Sequence, residues 1–117
     1  MNNKHITQTG LLLTDNAGGA TILRDGSEAT KGFAVGGVLE FTYPMELERK
    51  KLEAFVEEAI SCIQETDANA FGFWCNSGTL YIDAVTIFDN EADAIAFGRK
   101  NNELAIYHIN GQKQIDC

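Results

Sequence analysis

Apolar and polar positions change period several times along the chain, and each change marks an element. The segment YPMELERKKLEAFVEEAISCIQETDA carries Leu52, Phe55, Val56, Ala59, Ile60 and Ile63 at steps of three and four, the stripe of a helix lying on a core. Pro44 suits a first helical turn, where a missing N–H costs nothing, and Glu46 suits the positive end of the helix dipole, so this helix is expected to start near Pro44. Glu46 with Lys50, and Arg49 with Glu53, stand at pairing distance on its outer side. Upstream, KGFAVGGVLEFTY alternates Phe33, Val35, Gly37, Leu39 and Phe41 against Ala34, Gly36, Val38, Glu40 and Thr42. That is the period of one strand, with a bulge or close backbone approach expected at Gly36 and Gly37.

Downstream, FGFWCNSGTLYIDAVTIFD reads as two apolar strands around a Ser77-Gly78 turn. This turn places Cys75 opposite Leu80, Phe73 opposite Ile82 and Phe71 opposite Ala84 on a core face. Trp74 then stands opposite Tyr81, Gly72 opposite Asp83 and Ala70 opposite Val85 on the other face. A slip of one residue would put Asp83 on the same face as Phe71, so the apolar pattern selects the first register. DNEADAIAFGRKN predicts a short helix capped by Asp89 or Asn90, with Ala92, Ile95 and Ala96 facing inward and Gly98 weakening its last turn. ELAIYHI predicts a strand, and NGQKQI an Asn-Gly turn with a short trailing strand before a frayed end. At the other terminus, Leu11 to Leu13 and Thr21 to Leu23 flank a glycine-rich turn, with a second turn at Asp25-Gly26, and read as a β-hairpin.

From Phe33 onward the order is strand, helix, strand, strand, helix, strand. This predicts an α+β fold with a ferredoxin-like βαββαβ core, an antiparallel sheet with two helices on one face. At 117 residues a single domain is expected: residues 9–31 as an appended β-hairpin, 32–110 as the βαββαβ core, and 111–117 as a tail. The hairpin would extend the sheet or cover its open face.

Asp83 puts a carboxylate in mid-strand, where burial of a charge demands a partner. One answer is that it accepts hydrogen bonds from a covering segment or pairs with Arg24 of the hairpin. The other is that it marks a ligand or partner pocket, with Gly72 opposite it leaving room. General acid–base catalysis would need a second titratable group beside it, and the sequence places none there. His108 shares a strand face with Leu104 and Ile106 and reads as structural, while His5 falls in an N-terminal tail. No serine lies in GxSxG, and no phosphate-binding glycine loop occurs. Cys62 and Cys75 read as small buried hydrophobes, and with Cys117 they form no CxxC. Asp89, Glu91 and Asp93 lack the glycine and terminal glutamate of a calcium loop. No catalytic residue, metal or cofactor is expected.

The formal net charge of −8 disfavours direct nucleic-acid binding, which depends on Lys and Arg displacing counterions, and suits a basic partner protein. Glu53, Glu57, Glu58 and Glu65 make the long helix acidic. No stretch of about 18 apolar residues is present, and MNNKHITQTGLLLTD lacks the apolar centre of a signal peptide, so no membrane association and a cytoplasmic location are expected.

The segment from Trp74 to Gly111, with its aromatic strand, its Tyr81-x-Asp83 strand, its alanine-rich helix and its Ala105-Ile106-Tyr107 strand, resembles a group of small uncharacterised proteins of bacteriophages and bacteria. GFAVGG at Gly32 to Gly37 is similar to their N-terminal strand. The resemblance covers about half the chain and carries no catalytic residues; it implies a phage or mobile-element setting, in the host cell cytoplasm. The resulting expectation is a non-enzymatic acidic binding protein, an inhibitor that blocks a host defence protein with a basic surface. Trp74, Tyr81 and Asp83 would form its contact patch, Glu53, Glu57 and Glu58 would supply a negative field, and an open sheet face or edge would make it a homo-oligomer. The alternative expectation is a small-molecule-binding or sequestering homo-oligomer with a pocket between subunits around the same three residues.

Overall fold

The computed structural model describes residues 3–36 and 39–117. It is an α+β protein in which the described residues form three helices and seven antiparallel strands. Helix α1 (Asn3–Ala17) leads into β1 (Gly19–Leu23), β2 (Phe33–Val35) and β3 (Glu40–Pro44). Helix α2 (Arg49–Gln64), the hairpin β4 (Ala70–Asn76) and β5 (Thr79–Phe88), helix α3 (Glu91–Lys100) and the hairpin β6 (Ala105–His108) and β7 (Lys113–Asp116) follow. The strand order is β1-β4-β5-β2-β6-β7, with β3 also on β5.

The β4–β5 hairpin has the expected register. Phe73 pairs with Ile82, Trp74 with Tyr81 and Gly72 with Asp83. Ser77 and Gly78 both have positive φ, 52° and 79°, the backbone of a two-residue turn whose twist matches the strands it joins. Phe71, Phe73, Leu80 and Ile82 are thereby buried beneath α1 and α2, with Leu52, Val56, Ile60 and Ile63 supplied by α2. A second, smaller core joins Val35, Ala94 and Ile106 under α3, with Phe33, Phe88, Ile95, Phe97 and Cys117 packed around it.

The strand expected over Phe33 to Thr42 is divided. Val35 pairs with Thr86 and Glu40 with Asp83, so positions five apart in sequence meet partners only three apart on β5, while the pairs themselves put Val35 and Phe41 on the core face and Ala34 and Glu40 on the other. Gly37, part of the expected bulge, and Val38 lie outside the described residues.

Several expectations are corrected. The N-terminal β-hairpin is instead a helix followed by one strand. In α1 the buried positions are Ile6, Thr7, Gly10, Leu11 and Thr14, a helical stripe disguised because three of its five members are not apolar. Gly18 closes the helix at φ 86°, donating its N–H to Thr14 O at 2.9 Å. His5 is therefore helical. Pro44 ends β3 rather than opening α2. On an edge strand its absent N–H removes no ladder bond, and Met45 N–H continues the pairing to Gly78 O. Arg24 does not partner Asp83. Its guanidinium donates to the carbonyls of Gln64, Thr66 and Ala68, at 2.8 to 3.3 Å, neutralising the carbonyl end of α2. Arg49 reaches Asp15 of α1 at 3.0 Å.

Cys62 is exposed because the inward stripe of α2 is taken by Ala59, Ile60 and Ile63, and Cys75, near the turn end of β4, is half-buried. Phe55 lies at the rim of that stripe, exposed and stacked on Tyr43 at 5.5 Å. In α3 the buried positions are Ala94 and Gly98, not Ala92 and Ala96; a β-carbon on Gly98 would lie 2.8 Å from Cys117 Sγ, so the glycine permits close helix packing. Asn90 caps this helix, accepting from Asp93 N–H at 3.2 Å. The short trailing strand expected after Asn110 is present as β7, paired with β6 from Lys113 to Asp116, so the segment assigned to a tail at 111–117 is part of the sheet rather than frayed.

Two substitutions test how α1 is seated. A β-carbon at Gly10 would collide with the Phe73 ring. Gly10→Ala should therefore destabilise the protein by about 1–3 kcal/mol despite the better helix propensity of alanine, read as a lower urea midpoint. Thr7 is fully buried, and its Oγ1 has no hydrogen-bond partner among the described residues. Thr7→Val should raise stability by about 1 kcal/mol, since it removes an unsatisfied hydroxyl at nearly constant volume.

Candidate functional site

The helices leave one face of the sheet uncovered, and the alternation of the strands decides what it shows. Across its centre, β1 contributes Thr21, β4 Gly72, β5 Asp83 and β3 Glu40, each opposite the next. One step away, Gly19, Trp74, Tyr81 and Thr42 form a parallel row. On the far side, Ala34 stands between Ile87 and Tyr107, and Tyr107 faces Gln114 of β7.

Asp83 is half-buried at the middle of this face. Its carboxylate lies low across the sheet: a β-carbon on Gly72 would collide with Oδ1, and one on Gly36 with Oδ2. Glycine on β4 and glycine just past the end of β2 are thus what give the carboxylate its place, with Val85 Cγ2 2.9 Å from the same missing β-carbon at Gly72. The mid-strand carboxylate is accommodated by two absent side chains. Trp74 and Tyr81 stack beside it with ring centroids 4.2 Å apart and planes 12° from parallel. Trp74 keeps 42% of its surface exposed and Tyr107 44%, unusually open for large aromatic rings.

Two adjoining hollows of ≈ 440 and ≈ 1160 Å³ open onto this face. They share Ala34, Gly36, Trp74, Asp83, Tyr107 and Gln114. Glu40 and Glu103 stand at the smaller hollow; Glu28, Ala29 and Thr30 line the larger one, on the connection that carries the chain from β1 past β4 and β5 to β2. No Lys, Arg or His is among the described residues lining either hollow. The local field is therefore negative, and Glu103 registers it: partial burial, and then the charge of Glu40, raise its pKa above the ordinary 4.5.

The expected contact residues divide between two faces. Trp74, Tyr81 and Asp83 meet on the helix-free face. Glu53, Glu57 and Glu58 ride on α2, which packs against the opposite face. Glu58 acts there on Tyr43, whose pKa is raised first by burial and then by the charges of Glu58 and Cys62. Glu40, Glu103 and Tyr107 belong to the site but were not among the expected contact residues. For Glu40 the signal was its position opposite Asp83, legible once β3 is paired with β5; for Tyr107 it was the alternation with buried Ile106. His108 is stacked on Phe33 at 4.3 Å, a packing role. Among the described residues no group of three or more His, Cys, Asp or Glu side chains is arranged to hold a metal ion, and no helix is long and apolar enough to cross a membrane.

The raised pKa of Glu103 has a definite sign in stability. Its folded value exceeds its unfolded value, so the folded state holds the proton more tightly and loses stability as pH rises through the region above 4.5. Glu103→Gln removes that loss. Thermal denaturation should show the variant more stable than the parent at pH 7, with the difference vanishing near pH 4.

No protein-family model matches this chain, and no curated protein or solved structure is significantly similar to it.

Proposed function

We propose that the protein is a non-enzymatic binding protein whose helix-free sheet face receives a basic segment of a partner protein. The observation that carries this reading is the lining of the two hollows, which combines Glu28, Glu40, Asp83 and Glu103 with the open rings of Trp74 and Tyr107 and contains no basic side chain among its described residues. Aromatic rings beside carboxylates are a surface for cations, attractive both through charge and through the ring faces. The acidic ridge Glu53, Glu57 and Glu58 points elsewhere and adds only to the overall negative field that steers a basic partner inward. The wider setting we assign is that of a phage or mobile element, with a host protein as the target and inhibition by occupancy in the host cytoplasm as the mode of action; the sequence resemblance supports it. The alternating strand order β4-β5-β2-β6, with α2 and α3 as the connecting helices, supports reading the central region as a ferredoxin-like derivative to which α1, β1 and β7 are added.

A second reading is a homo-oligomer that sequesters a small molecule on the same face. The smaller hollow, ≈ 440 Å³, favours it, since that volume falls in the range of small-molecule sites.

Trp74 is the only tryptophan in the chain, so its fluorescence reports directly on the face. Titration with a mixed Lys/Arg peptide should change its emission, with affinity falling at least tenfold between 50 and 500 mM salt. Asp83→Asn should weaken binding at least tenfold, whereas Glu57→Gln with Glu58→Gln should leave the equilibrium affinity within twofold at 150 mM salt. Peptide binding without a tryptophan response, or equal losses from the α2 substitutions, would overturn the assignment to this face.

A further inference from the structure

The turn that joins β6 to β7 holds the only Asn-Gly pair of the chain, Asn110 and Gly111. Both residues are exposed, and the turn closes on a long bond, from Gln112 N–H to Ile109 O at 3.3 Å. The strand beyond it, β7, stands at the end of the strand order, so opening the turn disturbs an edge rather than the centre of the sheet. Glycine at 111 is demanded by the fold: a β-carbon there would collide with His108 Nδ1 and lie 2.9 Å from its Cε1. The main-chain nitrogen of residue 111 is thus left without a neighbouring side chain to shield it. Gly32 clasps the same turn from the other side. Its N–H donates to Asn110 Oδ1 at 3.2 Å and its carbonyl accepts the Ile109 N–H at 2.9 Å. A donor on the amide oxygen stabilises the negative charge that this oxygen takes up when a nucleophile adds to Cγ.

We propose that Asn110 is a self-modification site, at which the side-chain amide is lost through a cyclic imide. The Gly111 nitrogen gives its proton to water and bonds to Asn110 Cγ, while the charge rests on Oδ1 against the Gly32 N–H. The Cγ–Nδ2 bond then breaks, and Nδ2 leaves as ammonia with a proton taken from water. Water adds to either carbonyl of the imide and opens it, giving an aspartyl residue or an isoaspartyl one whose main chain runs through the former side chain. The net exchange is one water consumed and one ammonia released. The related positions of the chain are held differently. Asp25-Gly26 is the only Asp-Gly pair, and its carboxylate accepts the N–H and the hydroxyl of Ser27 at 2.9 and 2.6 Å. Those bonds keep it ionised and a poor electrophile. Asn76 is also exposed in a turn, but the nitrogen that follows it belongs to Ser77, which carries a side chain.

The modification reaches the helix-free face, whatever partner that face receives. Asn110 lines the larger hollow, so the aspartyl product adds a negative charge there. The isoaspartyl product inserts a methylene into the main chain between β6 and β7, the strands that bring Tyr107 and Gln114 opposite each other on that face.

The test incubates the full chain at neutral pH and physiological temperature and follows it by intact mass and by peptide mapping that separates aspartyl from isoaspartyl products. Conversion at Asn110 should outpace that at Asn76 by at least about tenfold, with both products present. The backbone amide signals of residues 107 and 114 should shift in NMR spectra as conversion proceeds. Asn110→Gln, whose longer side chain closes its ring far more slowly, should remove the isoaspartyl product from a chain that its amide spectrum shows to be folded. Conversion that falls on another asparagine, or that persists in the Asn110→Gln chain, would overturn the proposal. So would an Asn110 that stays intact in the native chain and reacts only after unfolding in urea. Conversion that leaves the amides of residues 107 and 114 unmoved would refute its effect on the face.

Discussion

The phase of β4 against β5 is the constraint on which the rest of the structure depends. A strand sends alternate residues to opposite faces, so the pairing that begins at the Ser77-Gly78 turn decides in one step that Phe71, Phe73, Leu80 and Ile82 are covered by helices and that Trp74, Tyr81 and Asp83 are not. Each of those buried phenylalanines contributes about 1.5–3 kcal/mol of transfer free energy. Reversing the phase of one strand would forfeit that contribution and force the Asp83 carboxylate into the core, so the register is defended from both sides. β1, β3 and β2 then inherit the phase through their own pairings with β4 and β5.

That inheritance passes through the break between β2 and β3 without losing the faces. Ala34 pairs with Ile87 and Glu40 with Asp83, and because partners across a ladder share a face, both stand on the same side of the sheet as Asp83. The break also takes Gly36 out of the regular ladder just where the Asp83 carboxylate needs room. Two features that weaken a strand, a glycine and an interrupted ladder, are what make the centre of the face concave and acidic.

How much of this was legible in the sequence follows from which signals were local. The hairpin register, the α2 stripe, the α3 cap and the β6–β7 turn each depend on a short window, and the chain shows them plainly. Helix α1 was hidden because Thr7, Gly10 and Thr14 occupy its inward stripe: a glycine is required there by the Phe73 ring beneath it, a tertiary reason that no local pattern carries. Pro44 was ambiguous for a similar cause, since a proline is harmless both in a first helical turn and at an edge strand, and only the pairing of β3 with β5 distinguishes the two. The candidate site divides along the same line. Trp74, Tyr81 and Asp83 come from one hairpin and could be placed together, whereas Glu40, Glu103 and Tyr107 join them through pairings between distant segments. The opposite error, grouping the α2 glutamates with that patch, arose because charge was counted along the chain without knowing on which side of the sheet the helix lies.

The energetics of the face connect its stability to its role. Cross-strand partners of like charge cost a sheet about 0.2–1 kcal/mol relative to neutral ones, and Glu40 and Asp83 are such partners, with Glu103, whose pKa is raised first by partial burial and then by the charge of Glu40, at the same hollow. A strand selected only to hold the fold together would place Thr or Val at these positions, as the flanking rows do with Thr42 and Val85. Those carboxylates give the helix-free face its negative lining, the property from which the basic-partner reading is drawn.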